Sequence, residues 1–254
     1  MNKKLEIKRL MGEPTMLFEK FHWKTKLNKK NDFIRDNQIQ KLPLTMKQIH
    51  FKAYARFKKI NLRKKNFTTR LKEALIKRRS KRSLIGNKPI TIDKLGTLLY
   101  YSAGLDYYNN KYDSRRLYPS AGARYPLEIY LLPRNIQSLN KRYIYHYNVK
   151  EHSLEGRLAS KYKLNNLFQQ DFVKSASAII LISGVFKRTH IKYGDRGYRY
   201  TLIECGHLGQ NLYLVAEAIK VNICAICGFY DNEINKLLHL DGITEAILYC
   251  FAIY

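Results

Sequence analysis

The stretch SASAIILIS, Ser175 to Ser183, constrains the fold more than any other part of the chain. It is apolar without alternation and too short to cross a membrane, so it reads as a central strand covered on both faces. Such a sheet needs helices packed on it. LIECGHLGQNLYLVAEAI, about Leu202 to Ile219, supplies one, with Leu208, Leu212, Val215 and Ile219 recurring at helical spacing. LEIYLLP (Leu127 to Pro133) reads as a strand ended by proline. KRYIYHYN (Lys141 to Asn148) alternates Tyr143, Tyr145 and Tyr147 with Ile144 and His146, and EAILYCFAIY forms a last strand after an Asp241–Gly242 turn. TTRLKEALIKRRS predicts a helix capped at Thr68 or Thr69, with Leu71, Ala74 and Leu75 on one face. ITIDKLGTLLYYSAGL predicts another, capped at Thr91 and stopped at Gly104, with Leu95, Leu98 and Leu99 inward. Asp231 caps a short fourth one. Strands and helices mix without regular βαβ alternation, which favours an α+β fold over a doubly wound sheet.

Charge divides the chain. It carries 47 Lys and Arg against 20 Asp and Glu, and residues 1–82 hold 26 of the former but 6 of the latter. The expected organisation is a basic lead-in over 1–65, suited to docking a partner, and one domain over 66–254. The lysines are scattered among apolar residues, with no zinc-finger, helix-turn-helix or RNA-binding signature. Solvated charge or an acidic protein partner is therefore expected ahead of nucleic acid. Cys224 and Cys227 form one CxxC pair on a β-prone run, where the two sulfurs point apart, and no second pair exists to complete a zinc site. Core thiols in a reducing compartment and no metal are expected. MNKKLEIKRL lacks the apolar segment of a signal peptide, and no apolar run is long enough to span a bilayer, so a cytoplasmic location is expected.

Four clusters have chemical potential, and each also has an ordinary explanation. RRSKR, Arg78 to Arg82, puts four cations and a hydroxyl at a helix end, as an anion site or as dipole complement. PSAGA, Pro119 to Ala123, is a turn of small residues that lets a flat ligand approach backbone, or an ordinary loop. KYGDRGYRY, Lys192 to Tyr200, offers a lysine beside a tyrosine, a base with its electrostatic partner or a surface turn. Glu204, His207 and Asn211 form a polar stripe on the long helix, better read as a satisfied network than as a metal site.

In order, RRSxR, PSAGAxYPLE, the tyrosine-rich IYHYN, KYGxRGYRY and ExGHxxQNLxLxAEA closely resemble the SagB-type dehydrogenases of the flavin-dependent nitroreductase superfamily, which act in the biosynthesis of thiazole- and oxazole-modified peptides. The resemblance runs from about residue 50 to the end, and FHWKTKL, Phe21 to Leu27, is similar to a lead-in common in the family. It implies a mainly antiparallel sheet wrapped by helices, in an intertwined homodimer with FMN at each interface. Arg78, Arg79, Ser80 and Arg82 would clamp the flavin, while Pro119, Ser120, Gly122 and Arg124 would line it from a second side. Lys192 and Tyr193 match the family's catalytic pair in azoline oxidation. The implied partners are an azoline-containing precursor peptide and a cyclodehydratase or leader-binding protein. The chain stops at Tyr254, where many superfamily members continue with glycine and basic residues, so more of the phosphate load would fall on RRSKR. Two alternatives compete: a general NAD(P)H-dependent flavin nitro- or quinone reductase, and a flavin-free scaffold subunit of the modification complex.

Overall fold

The computed structural model describes residues 50–82, 89–110, 113–160 and 162–254, together with Leu17, Lys20 and Phe21. Its frame is a seven-stranded sheet. The strands are β1 (Lys58–Asn61), β4 (Leu127–Pro133), β5 (Tyr143–Asn148), β6 (Ser153–Leu158), β7 (Ala178–Val185), β8 (Ile223–Ile226) and β9 (Glu245–Ile253), and β2 (Leu105–Asn110) pairs with β3 (Asp113–Arg116) in a separate hairpin. The order is β1-β6-β5-β4-β7-β9-β8, with every pairing antiparallel. The helices are α1 (Leu71–Lys77), α2 (Ile92–Ala103), α3 (Lys187–Tyr193), α4 (Arg196–Ala218) and α5 (Asp231–Leu238). The architecture is α+β, as expected.

β7 sits between β4 and β9, and its residues from Ala178 to Gly184 are all buried, as its unbroken apolar run requires. Its two faces feed two cores. Ile180 and Ile182 pack with Leu95, Leu99, Leu208 and Leu212 beneath α2 and α4. Ile179 and Leu181 pack with Ile234 and Leu238 of α5 on the other side. α2 is capped as expected, with Thr91 Oγ1 accepting from Lys94 N at 3.2 Å and Gly104 at its end. β1 lies within the basic lead-in and extends the sheet edge by pairing with β6.

Several local expectations are corrected. α1 begins after Arg70 and has no side-chain cap; Thr69 Oγ1 instead reaches Ala218 O. Only Ala74 of its apolar face is buried, while Leu71, Leu75 and Ile76 are exposed. α4 starts at Arg196, and Tyr230 rather than Asp231 holds the N-cap position of α5. Cys205, Cys224 and Cys250 are buried free thiols, but Cys227 is exposed, because β8 ends one residue before it. Among the described residues, no helix is long and apolar enough to cross a membrane, and no group of His, Cys, Asp or Glu could hold a metal. Of FHWKTKL, only Phe21 is described; its ring meets Tyr198 edge-on at 5.6 Å. The remainder lies outside the described residues.

Candidate active site

KYGDRGYRY is helical rather than an irregular loop. Lys192 and Tyr193 are the last residues of α3, and Gly194, at φ +53°, breaks the helix before α4 begins. No heavy atom lies within 4 Å of the place a Gly194 Cβ would occupy, so glycine is needed there for its backbone angle and not for space. The break aims the end of α3 at the PSAGA turn. Gly122 has φ +59°, and a Cβ on it would lie 2.5 Å from Tyr193 Oη and 2.9 Å from Lys192 Nζ. Two motifs far apart in sequence therefore meet at one point, and glycine is the residue that allows it. Lys192 Nζ also lies 5.5 Å from the Tyr193 ring centroid, and Tyr200 meets that ring edge-on at 5.0 Å.

One guanidinium holds both pieces to the sheet. Arg188, on α3, lies 2.6 Å from Glu128 of β4, and its Nη1 donates to Tyr125 O at 2.9 Å. Its own carbonyl accepts from Arg124 Nε at 2.9 Å. Burial lowers the Arg124 pKa, and Tyr193 nearby partly restores it. Glu128 also takes His146 Nε2 at 2.9 Å, while His146 Nδ1 lies 3.0 Å from Glu155. Burial disfavours charge on all three. It is overcome at Glu128 by Arg188 and His146, which hold that carboxyl well below the usual range, and at His146 by the two carboxylates, which raise the imidazole. Glu155 is likewise lowered against its burial, by His146, Asn148 and the Tyr54 N–H. This chain of buried charges is fully opposed in sign, the condition under which such charges are tolerated.

Behind the turn, Ser120 Oγ accepts from Tyr125 N at 2.8 Å and donates to Glu204 Oε2 at 2.6 Å. Glu204 is 2% exposed, and its other oxygen has no partner among the described atoms. Burial pushes its pKa up to about 8, against the pull of Ser120, Arg116 and Arg188. Pro119, Ser120, Ala121, Tyr200, Ile203, Glu204 and His207 line a cavity of 260 Å³ there. The polar stripe of α4 thus divides. Asn211 donates to Ser102 O and Leu117 O, Glu204 serves the turn, and His207 is exposed.

RRSKR lies elsewhere. Arg78 sits over the Tyr213 ring at 5.2 Å, Ser80 Oγ is 2.9 Å from Tyr213 Oη, and Arg82 Nε is 3.5 Å from Cys224 Sγ. Arg79 donates to Ile76 O and Arg78 O. From Glu204 to Tyr213 the helix rises about 13 Å. Within one chain, then, Lys192, Tyr193, Pro119, Ser120, Gly122 and Arg124 come together, and Arg78, Arg79, Ser80 and Arg82 do not join them. Sequence reasoning missed Arg188, Glu128 and the turn-holding role of Glu204. Burial is what distinguishes them from the many other charged residues.

This fold belongs to a known class. Residues 75–253 match the model of the Nitroreductase family, and the chain is a member of it. It is similar to a nitroreductase-like protein, MJ1384, of Methanocaldococcus jannaschii, at 35% identity over 177 residues, covering 67% of this chain and 85% of that one. It is also similar to the microcin B17-processing protein McbC of Escherichia coli, at 31% identity over 141 residues, 53% of this chain and 52% of McbC. The chain thus spans about half of McbC. The fold is shared with a nitroreductase-family protein of Anabaena variabilis (TM-score 0.69, 24% identity, 92% of this chain and 45% of that one). It is also shared with the E. coli microcin synthetase McbBCD complex carrying truncated pro-MccB17 (TM-score 0.54, 19% identity, 100% and 93%).

Proposed function

We propose that the protein is an FMN-dependent dehydrogenase that oxidises thiazolines or oxazolines in a precursor peptide to the aromatic rings. The observation that carries this reading is the contact of Gly122 with Lys192 Nζ and Tyr193 Oη, which joins the two segments the chemistry requires. The similarity to a microcin-processing protein supports a peptide substrate.

Aromatisation removes a proton from the ring α-carbon and a hydride from the β-carbon. FMN, when bound, supplies the two-electron acceptor for that hydride. Tyr193 takes the proton on its phenolate oxygen, and Lys192 stabilises the negative charge needed there. A positioned base of this kind contributes about 10²–10⁴-fold. Arg188 and Ser120 hold α3 and the turn in register, so the base is placed before substrate arrives. The residues suit a flavin: the small residues Ser120 and Ala121 lining the cavity, an orphaned carboxyl oxygen on Glu204, and the exposed hydroxyl and guanidinium groups of Ser80, Arg79 and Arg82 for a phosphate.

Because these two parts sit apart along α4, the complete site takes its turn from one copy and its clamp from a second. The exposed apolar residues Leu71, Leu75 and Ile76 of α1 and Leu202 and Ile203 of α4 are the surface such a homodimer covers. The test is mass spectrometry of an azoline peptide incubated with the FMN-loaded protein. Loss of two hydrogens per ring is expected, abolished by Tyr193→Phe or Lys192→Ala with bound FMN retained. NADPH-driven nitroaromatic reduction without ring oxidation would replace this reading with a general reductase. A colourless protein that cannot be reconstituted with FMN would favour the scaffold.

A further inference from the structure

At the far end of the sheet from Lys192 and Tyr193 lies a groove of 1140 Å³. The turn and α3 approach the sheet where β4 begins and β7 ends. The groove lies where β4 ends and β7 begins, and the span from Leu127 to Pro133 puts it about 20 Å away. Pro133 and Arg134 leave β4 on one side, and Lys141 and Arg142 lead into β5. Ala159, Ser160, residues 162–166 and Lys174 complete the wall. Arg134 N and Asn135 N both donate to Ser177 O, and Ala159 N donates to Arg142 O at 2.8 Å, so the wall is braced by backbone.

Among the described residues the groove is lined by Arg134, Lys141, Arg142, Lys163 and Lys174, and by no carboxylate. Lys174 is paired with Asp171, but among the described residues the other four have no acidic partner. The rest of the lining is mixed. Leu164, Ala159 and the half-buried Tyr162 offer apolar contact, and Asn165 and Asn166 offer amides. Cations alone would suit any polyanion. Cations interleaved with apolar side chains and amides suit a peptide carrying both carboxylates and aliphatic residues.

We propose that this groove binds an acidic segment of a peptide, at a distance from the chemistry. The inference rests on the peptide-oxidation reading above and adds a recognition site to it. A segment held here needs about six extended residues to span β4, so what is recognised and what is oxidised are different parts of one substrate.

The experiment is fluorescence anisotropy on the FMN-loaded protein, with a short labelled peptide of alternating Glu and Leu. Binding that weakens with salt is expected. The triple variant Arg134→Glu, Arg142→Glu, Lys163→Glu should lose about tenfold or more in affinity. The same number of reversals at exposed lysines outside the groove, Lys58→Glu, Lys94→Glu and Lys236→Glu, should lose less than about threefold. Equal losses from the two triples would overturn the groove in favour of diffuse charge. Absence of peptide binding, or tighter binding of a single-stranded RNA through the same three residues, would overturn the peptide assignment. FMN content and oxidation of a short azoline peptide lacking any acidic segment are read in parallel. They stay unchanged in the groove variant if only recognition is lost, so failure of the groove and failure of the dehydrogenase reading are told apart.

Discussion

Glu204→Gln tests the polar support of the turn in a way that packing alone does not imitate. Glu204 is buried, accepts one hydrogen bond from Ser120, and has its pKa pushed up to about 8 from an ordinary 4.5. Between those two values the folded protein keeps a proton that the unfolded chain gives up. Folding stability from this group is therefore highest at low pH and falls as pH rises, by at most about 1.4 kcal/mol per pH unit. From pH 5 to pH 7.5 that is up to about 3 kcal/mol. Glutamine keeps the acceptor for Ser120 and does not titrate. It brings an amide into a place with no acceptor, at a cost of about 1–3 kcal/mol that does not vary with pH. The assay is urea denaturation of both proteins at half-unit pH steps. The difference in unfolding free energy, wild type minus variant, should fall steadily across the window and level off above pH 8. Acid loss of the depressed Glu128 and Glu155 is common to both proteins and cancels. A pH-independent difference would show that Glu204 is ionised in the folded state and that burial does not hold a proton on it.

Gly122→Ala meets both an unfavourable φ and the two side-chain tips behind it. We expect about 1–2 kcal/mol of lost stability and a much larger proportional loss of turnover, read by denaturation and by peptide mass loss. Unchanged turnover would refute the packing of Gly122 on Lys192 and Tyr193. Arg188→Met leaves Glu128 buried without its closest cation and should cost about 3–5 kcal/mol, read as a lowered urea midpoint. A loss under about 1 kcal/mol would show that Arg188 is not the tie between α3 and β4.

Much of the frame was legible because burial writes itself into periodicity. β4, β5, β7 and β9 follow from their apolar runs, and α2 from its cap and stripe. α3 was not legible. KRTHIKY has no apolar stripe, and its helical form depends on Arg188 reaching a carboxylate on another element. α1 was legible as a helix but not in orientation, since Leu71 and Leu75 turn away from the core of their own chain. The site was legible as motifs. Their meeting was not, because Gly122 touching Tyr193 is a tertiary event. The reach of β1 into the sheet was hidden for a similar reason: KKIN has one apolar residue and takes its register from β6.

α4 acts as a ruler and also as a protractor. It carries Glu204, bonded to Ser120, at one station and Tyr213, bonded to Ser80, at another, and each station meets one part of the proposed site. Each helical residue advances about 1.5 Å and turns about 100°. Tyr213 stands about half a turn round the helix from Glu204, and inserting one residue between the stations would barely lengthen the helix, yet it would swing Tyr213, with Arg78 and Ser80, about 100° from that bearing. Length can change in loops away from the PSAGA turn and the Gly194 break without moving Gly122 against Lys192 and Tyr193. Within these turns of α4 it cannot, because there a change of length is also a change of bearing.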